Sequence, residues 1–531
     1  MKKILVIIIT LIAAIITMAY LYFSGLNSEL KNNDSSLYAA TTNSAFIFSF
    51  ENDKSILDIL KAQDLFKEIA GDDKFSELES LKTYILSVPE INYAIDKQAV
   101  YISLIPGGNK NIDFLYSTQI KAGINIDQLR KTLKDHSIET GSKENLISMR
   151  LPDSNIFYLG IKDNLLLLSG TTKPINDVLL SSFNKGSKFV DYIKSNSRIT
   201  KNSLAEVYIN FEVMPSLLKA VLPGKLTGEL SVFNNQHAFA SLTYNFSKEK
   251  ILLTGTTTPN DDNGYYHLFA GLKAQKISIT NILPENTANY SVFAVDNYTS
   301  WKKSLDNWFA LIKDEHNTSK IIKNYNEKYR INLEQIFPKY FKNQFITFQL
   351  STTEKIGAIE LSNGDKVTQL LLDLSTEYSQ DIKVLKEDNL LYAYFGEPLK
   401  KFKRPFYCII DNYMVFSNNA SSVQSFLNSY KNNTLLINDK DYSTAIDQLA
   451  NTANISYFIG LKNSSDIFLK NLYQPYYKQI RNEKGLKNYT SFIYQLSGDN
   501  GKFQTNVLIN KKIKLSPDSN SLQTDSIISI P

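Results

Sequence analysis

The spacing of apolar and polar residues predicts most of the secondary structure of this chain. Apolar and aromatic side chains recur at alternate positions in Ala45–Phe50 and Ala238–Tyr244, which is typical of strands with one buried face. Trp301 and Trp308 belong to a helical spacing with one apolar face. Turn signals such as Asp163-Asn164 separate neighbouring strands. Because hairpins alternate with single helices, we predict an α+β fold with mostly antiparallel sheets and packed helices.

The N-terminus carries an uncharged apolar run of a different kind. Residues 4–23, from Ile4 to Phe23, contain no charged side chain and would span about 30 Å as a helix, the thickness of a bilayer core. Lys2 and Lys3 precede this run, so the positive-inside rule places residues 1–3 in the cytoplasm and residues 24–531 outside. The sequence therefore predicts a single-pass transmembrane anchor.

A cleaved signal peptide is the alternative interpretation of the same segment. Signal peptides have a shorter apolar region, of about 7–15 residues, followed by a site with small residues. Here the run is longer, and it ends in Tyr20-Leu21-Tyr22-Phe23, which is a poor cleavage region. An uncleaved signal-anchor is favoured, and residues 24–40 are predicted to be a polar stalk.

The rest of the chain has the pattern of an internal duplication. Phe157–Asn164 resembles Phe406–Asn412, each a strand entering an Asp-Asn turn, and residues 205–222 resemble residues 455–473. Five such blocks recur in the same order at offsets of about 240 to 251 residues, which chance does not readily produce. The predicted organisation is a first α+β repeat at 41–280, a second at 281–514 and a flexible tail at 515–531.

The start of the second repeat carries a family resemblance. Residues 284–288 read Pro-Glu-Asn-Thr-Ala and are followed by a predicted strand and a helix with two tryptophans. This combination resembles a bacterial family built on a domain of unknown function. The resemblance implies an envelope protein with one N-terminal membrane span, a duplicated extracytoplasmic portion and no assigned activity or catalytic residues.

Composition excludes several classes of protein. Hydrophobic residues make up 43% of the 531 residues and aromatic residues 12%, which is enough for a folded core. The net charge of +5 is too small over this length to indicate nucleic-acid binding. The single cysteine, Cys408, excludes an intramolecular disulfide, and its place in an apolar strand predicts a buried thiol.

Recognisable catalytic and metal-binding motifs are missing from the sequence. The four histidines are too far apart for a paired-histidine metal motif, and no nucleophile elbow, P-loop or dinucleotide fingerprint occurs. The acidic Asn260–Gly264 stretch lacks calcium ligands at the first and last positions of an EF-hand loop, Pro259 and Ala270. We therefore expect no enzyme activity, no bound metal and no cofactor.

Two corresponding apolar helices are the candidate ligand or partner surface. They are predicted at 213–222 and 466–473, and the second runs into a tyrosine-rich segment. Packing on their own sheets is the ordinary role of such helices, whereas a groove for an acyl chain, a peptide or a partner helix is the functional alternative. The residues of this predicted surface are Leu217, Leu218, Val221, Phe468, Leu469, Tyr473, Tyr476 and Tyr477.

The functional prediction follows from the anchor, the duplication and the missing motifs. We expect an extracytoplasmic interaction or scaffolding protein, anchored in the bacterial cytoplasmic (inner) membrane through residues 4–23, with an envelope protein or lipid as its partner. The alternative is a carrier or sensor that binds a lipid or another apolar ligand in a groove of the extracytoplasmic portion. A deep apolar cavity would favour this alternative, and closed convex domains would favour the scaffold.

Overall fold

The computed structural model describes only part of the chain. The described residues are 35–51, 76, 79–108, 110–121, 131–132, 139–143, 146–181, 187–197, 205–224, 236–246, 250–482 and 485–512. Their internal contacts divide the chain into two compact units. The first unit takes in residues 1–244, 255–267 and 471–479, and the second unit takes in residues 245–254, 268–470 and 480–531.

In the described part of the first half of the chain, ten strands pair as an antiparallel sheet. In order along the sheet they are β4, β5, β6, β7, β3, β2, β1, β8, β9 and β10. Their bounds are β1 Phe46–Glu51, β2 Ala99–Pro106, β3 Ile112–Gln119, β4 Glu139–Lys143, β5 Leu146–Arg150, β6 Ile156–Lys162, β7 Leu165–Ser169, β8 Glu206–Asn210, β9 Ala238–Phe246 and β10 Lys250–Pro259.

The second half repeats this strand order. Along its sheet the strands are β15, β16, β17, β18, β14, β13, β12, β20, β21 and β22, so that β12 corresponds to β1 and β22 to β10. Their bounds are β12 Thr287–Ala294, β13 Phe341–Leu350, β14 Lys355–Leu361, β15 Ser375–Glu377, β16 Lys383–Leu385, β17 Phe406–Ile410, β18 Tyr413–Ser417, β20 Ile455–Gly460, β21 Tyr489–Asp499 and β22 Lys502–Lys511. A separate pair joins β11 Gln275–Lys276 to β19 Thr452–Ala453.

Helices lie between these strands. In chain order the α-helices are Ser35–Thr41, Pro89–Ile95, Thr172–Leu180, Lys188–Asn196, Met214–Val221, His267–Ala270, Tyr298–Leu311, Glu315–Tyr329, Phe337–Tyr340, Gly364–Leu370, Leu390–Phe395, Ala420–Lys431, Lys440–Ile446, Ser465–Asn471 and Gln474–Arg481. A π-helical turn forms at Leu81–Leu86, and short 3₁₀ turns form at Ile279–Ile282, Leu333–Gln335, Glu397–Leu399, Leu436–Asn438 and Leu486–Asn488.

The tight turns explain why corresponding strands form at corresponding places. Asp163 and Asp411 both adopt positive φ, at 54° and 50°, in the turns β6–β7 and β17–β18. Aspartate and asparagine tolerate this left-handed conformation better than most residues, which favours two-residue hairpins. Leu159 pairs with Leu168 in the first hairpin, and Tyr407 pairs with Phe416 in the second. Local turn chemistry therefore sets the register of the repeated hairpins.

Apolar side chains cover both faces of each sheet. On one face of the first sheet, Leu115 and Leu167 pack against Ile175 and Val178 of the Thr172–Leu180 helix. On the corresponding face of the second sheet, Val415 packs in a core cluster with residues of the Ala420–Lys431 helix. The opposite faces differ in how they are filled, and this difference creates the candidate site below.

The predicted α+β class with antiparallel sheets is confirmed, and the repeated strand order supports the predicted duplication. None of the helices that the structure describes is long and apolar enough to cross a membrane. The predicted span at 4–23 and the predicted tail at 515–531 lie outside the described residues. The predicted repeat boundaries, 41–280 and 281–514, stay predictions.

The end of the predicted stalk differs from expectation. Residues 35–40 belong to the Ser35–Thr41 helix, in which Leu37, Ala39 and Ala40 are buried. Ser103 and Ser117 of the sheet donate hydrogen bonds to carbonyl oxygens of this helix. The polar appearance of Ser35-Ser36 concealed a helix that packs through small side chains, so the stalk prediction applies no further than residue 34.

Candidate functional site

An apolar cavity of about 80 Å³ lies in the first unit. One wall is a face of the sheet, where Phe50, Val100, Tyr116, Leu159 and Leu168 line the space. The other wall comes from the Leu81–Leu86 turn and the Pro89–Ile95 helix, through apolar side chains of both segments. Pro89 at the start of the helix and Ile91 and Ile95 on its buried face position this second wall.

The lining is uncharged throughout its described part. Besides the phenol of Tyr116, its hydroxyl-bearing side chains are those of Ser117 and Thr118. Ser117 Oγ donates to the Ser36 carbonyl oxygen at 2.9 Å, and Thr118 Oγ1 donates to the Ala99 carbonyl oxygen at 2.9 Å. Because both hydroxyl hydrogens are already engaged, the described wall presents almost only hydrocarbon to the cavity.

Strand registers identify the equivalent positions in the second unit. The pairings of β1, β2, β3 and β7 superimpose on those of β12, β13, β14 and β18 when Ser169 is matched to Ser417. Val100 then corresponds to Phe345, and Leu168 to Phe416. The same registers match Tyr208 to Phe458.

Aromatic rings fill the equivalent space in the second unit. Phe345 stacks on Phe293 with ring centroids 5.1 Å apart, and its centroid lies 5.2 Å from that of Phe395 and 5.9 Å from that of Trp301. Phe416 packs edge-on against Phe402 at 5.0 Å. These side chains are at most 2% exposed. The first unit has smaller side chains at two of these positions, Val100 and Leu168, and both line its cavity.

At two neighbouring positions, the aromatic ring lies on different strands in the two units. Tyr116 on β3 and Leu168 on β7 correspond to Gly357 on β14 and Phe416 on β18. A Cβ atom at Gly357 would lie 2.7 Å from Cζ of Phe416, closer than side-chain carbons approach. Glycine therefore makes room for the Phe416 ring, whereas in the first unit the half-buried Tyr116 occupies the corresponding strand position and lines the cavity.

The sequence-predicted surface residues are only partly exposed. Leu217 and Tyr477 are buried, at 4% and 8% exposure, so these two do not form an open surface. Leu469 lies on the Ser465–Asn471 helix, is 45% exposed and is therefore accessible at the surface. The remaining predicted residues, Leu218, Val221, Phe468, Tyr473 and Tyr476, are half-buried.

Two of the predicted segments meet within the first unit. The Tyr473 backbone N–H donates to the Val221 carbonyl oxygen at 3.0 Å. Lys110 Nζ lies 4.5 Å from the centre of the Tyr473 ring, and Tyr476 Oη donates to the Lys110 carbonyl oxygen at 3.4 Å. Burial raises the pKa of Tyr476. These contacts attach residues 471–479 to the first unit, so the tyrosines serve packing as well as surface exposure.

A polar cleft of about 590 Å³ lies in the second unit, beside the Tyr298–Leu311 and Glu315–Tyr329 helices. Lys302 Nζ contacts Asp306 Oδ1 at 2.5 Å and lies 5.4 Å from the centre of the Tyr394 ring. Tyr394 Oη donates to Glu334 at 3.0 Å, and Lys323 pairs with Glu327 at 3.7 Å. The described lining of this cleft has two lysines and four carboxylates, so the cleft is acidic overall.

Two histidines lie beside carboxylates in the described part of the chain. His237 Nδ1 lies 3.9 Å from carboxylate oxygens of both Glu212 and Asp261, and His267 Nε2 lies 3.1 Å from Asp262. No group of three or more metal-ligating side chains there is placed to hold an ion. Cys408 is buried as predicted, and burial raises the pKa of its thiol to about 12.

The cavity could not be located from sequence patterns. Its walls combine residues from Phe50 to Leu168 that are far apart in the chain, and each resembles an ordinary core residue in its own strand. A usable signal lies in the duplication itself, because a residue-by-residue match sets Val100 against Phe345. In the sequence, such a cavity is indicated by a smaller residue at a core position where the other repeat has an aromatic residue.

No family model, curated protein or solved structure matches this chain. The resemblance to a bacterial family with a domain of unknown function therefore stays a prediction.

Proposed function

We propose that this chain is a carrier or sensor that takes the end of an alkyl chain, or a similarly apolar group, into the cavity of its first unit. The observation that carries the proposal is the contrast between the units. Matched sheet faces are filled by aromatic rings in the second unit and leave about 80 Å³ of apolar space in the first.

Physical considerations support an apolar ligand. Cavities lined by Leu, Ile and Phe stay dry and accept apolar molecules, as an engineered cavity of about 150 Å³ accepts benzene. A cavity of about 80 Å³ is smaller and suits a chain end better than a whole lipid. A charged group would lose its hydration inside without a described partner, so it would remain outside the cavity.

The place of action is part of the same proposal. The apolar run at 4–23 and the lysines before it support an anchor in the bacterial cytoplasmic membrane, with the remaining chain outside the cytoplasm. A protein tethered beside a bilayer has lipid chains within reach, and it needs no catalytic group to bind them. The proposal is therefore for a non-enzymatic envelope protein.

A photoreactive lipid tests this function. The full chain is reconstituted in nanodiscs with a monoacylglycerol that carries a diazirine near its chain end, and cross-linked peptides are mapped after irradiation. We expect attachment to peptides that contain Met149 or Leu159, which line the cavity. Val100→Phe places a ring where the second unit has Phe345 and should abolish these cross-links.

A matched variant controls for the added ring. Ile156 begins β6 and is 42% exposed, so Ile156→Phe adds a ring to a β-branched strand position of the same unit outside the cavity. This variant should cross-link like the unmodified chain. Equal labelling of Val100→Phe and Ile156→Phe would exclude the cavity as the binding site.

The interaction or scaffolding role is a second proposal, and exposed Leu469 favours it. This residue lies on the predicted partner surface and is 45% exposed. A photoreactive amino acid at position 469 of the membrane-embedded chain would attach a partner protein if this surface binds one. Labelling no stronger than at the exposed Leu372 would count against the scaffold.

A further inference from the structure

A small polar cluster lies beside the cavity and indicates what kind of lipid head would stay outside. Lys121 Nζ lies 3.4 Å from Asp96 Oδ2 and 4.7 Å from the centre of the Tyr93 ring. The side chains of Lys121 and Asp96 are 38% and 44% exposed, and Tyr93 is 71% exposed. The cluster thus offers one cation, one anion and one accessible aromatic ring to the solvent.

The chain itself holds this cluster at the edge of the cavity. Asp96 follows Ile95, which lines the cavity, and Lys121 comes three residues after Thr118, which also lines it. The Lys121 backbone N–H donates to the Ala94 carbonyl oxygen at 2.9 Å, which joins the two segments. Leu166, a half-buried lining residue, packs against Ile95 and its neighbours. Adjacent Cα atoms are about 3.8 Å apart, and Asp96 and Lys121 lie one and three residues along the chain from these lining residues.

We propose that the ligand of the first unit is a phospholipid with a zwitterionic head, whose chain end enters the cavity while its phosphate meets Lys121 and its ammonium group meets Asp96 and Tyr93. This inference rests on the proposed function and names its ligand class. A carboxylate and an aromatic face both attract an ammonium group, and a lysine attracts a phosphate.

Charge complementarity favours this head over the alternatives. The cluster is neutral as a whole, so a purely anionic head would gain Lys121 but be repelled by Asp96 at the same place. An uncharged head would leave the ion pair as it is. Exposed ion pairs are weak. Breaking the Lys121–Asp96 pair therefore costs little free energy when Lys121 contacts the phosphate of a zwitterion and Asp96 contacts its ammonium group.

Competition experiments on the full chain in nanodiscs test the inference. The reporter is the diazirine-tailed monoacylglycerol, and the competitors are lysophosphatidylethanolamine, lysophosphatidylglycerol and unlabelled monoacylglycerol of the same chain length. We expect the zwitterionic lipid to displace the reporter at about two- to fivefold lower concentration than the other two, the range that exposed ion pairs supply. Lys121→Gln and Asp96→Asn should each reduce this preference to about one.

Matched controls separate the cluster from general charge effects. Lys173 and Asp191 are exposed on the Thr172–Leu180 and Lys188–Asn196 helices, away from the cavity lining, so Lys173→Gln and Asp191→Asn should keep the preference. Unchanged displacement by monoacylglycerol shows that the variants are folded.

Each result bears on one proposal or on both. Equal displacement by all three lipids, or preference for the anionic one, would overturn the zwitterionic head while leaving an apolar ligand in place. A preference that survives Lys121→Gln would also overturn it. If the reporter never labels cavity peptides, the proposed function fails together with the inference.

Discussion

Replacement of Gly357 by alanine tests the packing contrast on which the candidate site depends. A Cβ atom at this position would lie 2.7 Å from Cζ of Phe416 and 3.1 Å from Cε2 of Phe402. Both rings are fully buried, and they contact each other edge-on at 5.0 Å, so neither can move far. The added methyl group must displace a ring within a closed aromatic core.

The expected magnitude follows from two opposing effects. Overpacking a well-filled core destabilises by about 1–3 kcal/mol. Replacing glycine by alanine within a strand recovers roughly 0.5–1 kcal/mol, because the unfolded chain loses less freedom on folding. We therefore expect Gly357→Ala to lower the unfolding free energy of the second unit by about 1–2 kcal/mol. Phe416→Leu should reduce this penalty, because it removes the ring that the methyl group meets.

Tryptophan fluorescence is a selective assay for this effect. Both tryptophans of the chain, Trp301 and Trp308, are buried in the Tyr298–Leu311 helix of the second unit. Urea unfolding followed by their emission therefore reports on that unit, and a loss of about 1.5 kcal/mol would lower the midpoint by about 0.5 M at a slope near 3 kcal/mol/M. The reasoning would be refuted if Gly357→Ala left the midpoint unchanged, or if its effect simply added to that of Phe416→Leu.

Three further predictions concern other positions. Val100→Phe should stabilise the first unit by about 1 kcal/mol, because complete filling of an 80 Å³ cavity contributes at most about 2 kcal/mol. Slower amide hydrogen exchange in β2 would show this stabilisation, and faster exchange would contradict it. Asn454→Ala should destabilise the second unit by about 3 kcal/mol in the tryptophan assay. The fully buried Asn454 side chain donates hydrogen bonds to the Lys273 and Ala294 carbonyl oxygens and accepts one from the Gly498 N–H. A loss of unfolding free energy below about 1 kcal/mol would contradict this. Native Cys408, whose pKa burial raises to about 12, should react with iodoacetamide at pH 8.5 at least about 100-fold more slowly than in the urea-unfolded chain, and comparable rates would refute its burial.

The raised pKa values also set a direction for stability against pH. Burial raises the pKa of Cys408 and of neighbouring Tyr407 to about 12 in the folded chain. Both groups are neutral when folded, so their contribution is fully present below their unfolded pKa values and is lost as pH rises toward 12. The unfolding free energy of the second unit should therefore fall above about pH 9.

Local signals were sufficient for much of the fold. The Asp163-Asn164 turn appears as predicted, with Asp163 at positive φ, because that conformation is a property of the residues in the turn. The predicted helix at 213–222 forms at Met214–Val221, since its apolar spacing is also local. The attachment of Tyr473 to Val221 could not be predicted, because it joins residues about 250 positions apart.

The candidate site is understood by comparing matched core positions in the two halves of the chain. A core position tolerates a smaller side chain only if neighbours move in, if stability is lost, or if another molecule occupies the space. At the position of Phe345 the first unit carries Val100, and the described lining has not closed around it. The unfilled cavity lowers the unfolding free energy of the first unit by about 1–2 kcal/mol. A bound chain end would restore this stability through the same apolar contacts. The cavity of the first unit, at positions that aromatic rings fill in the second unit, therefore supports the proposal that the first unit binds an apolar ligand.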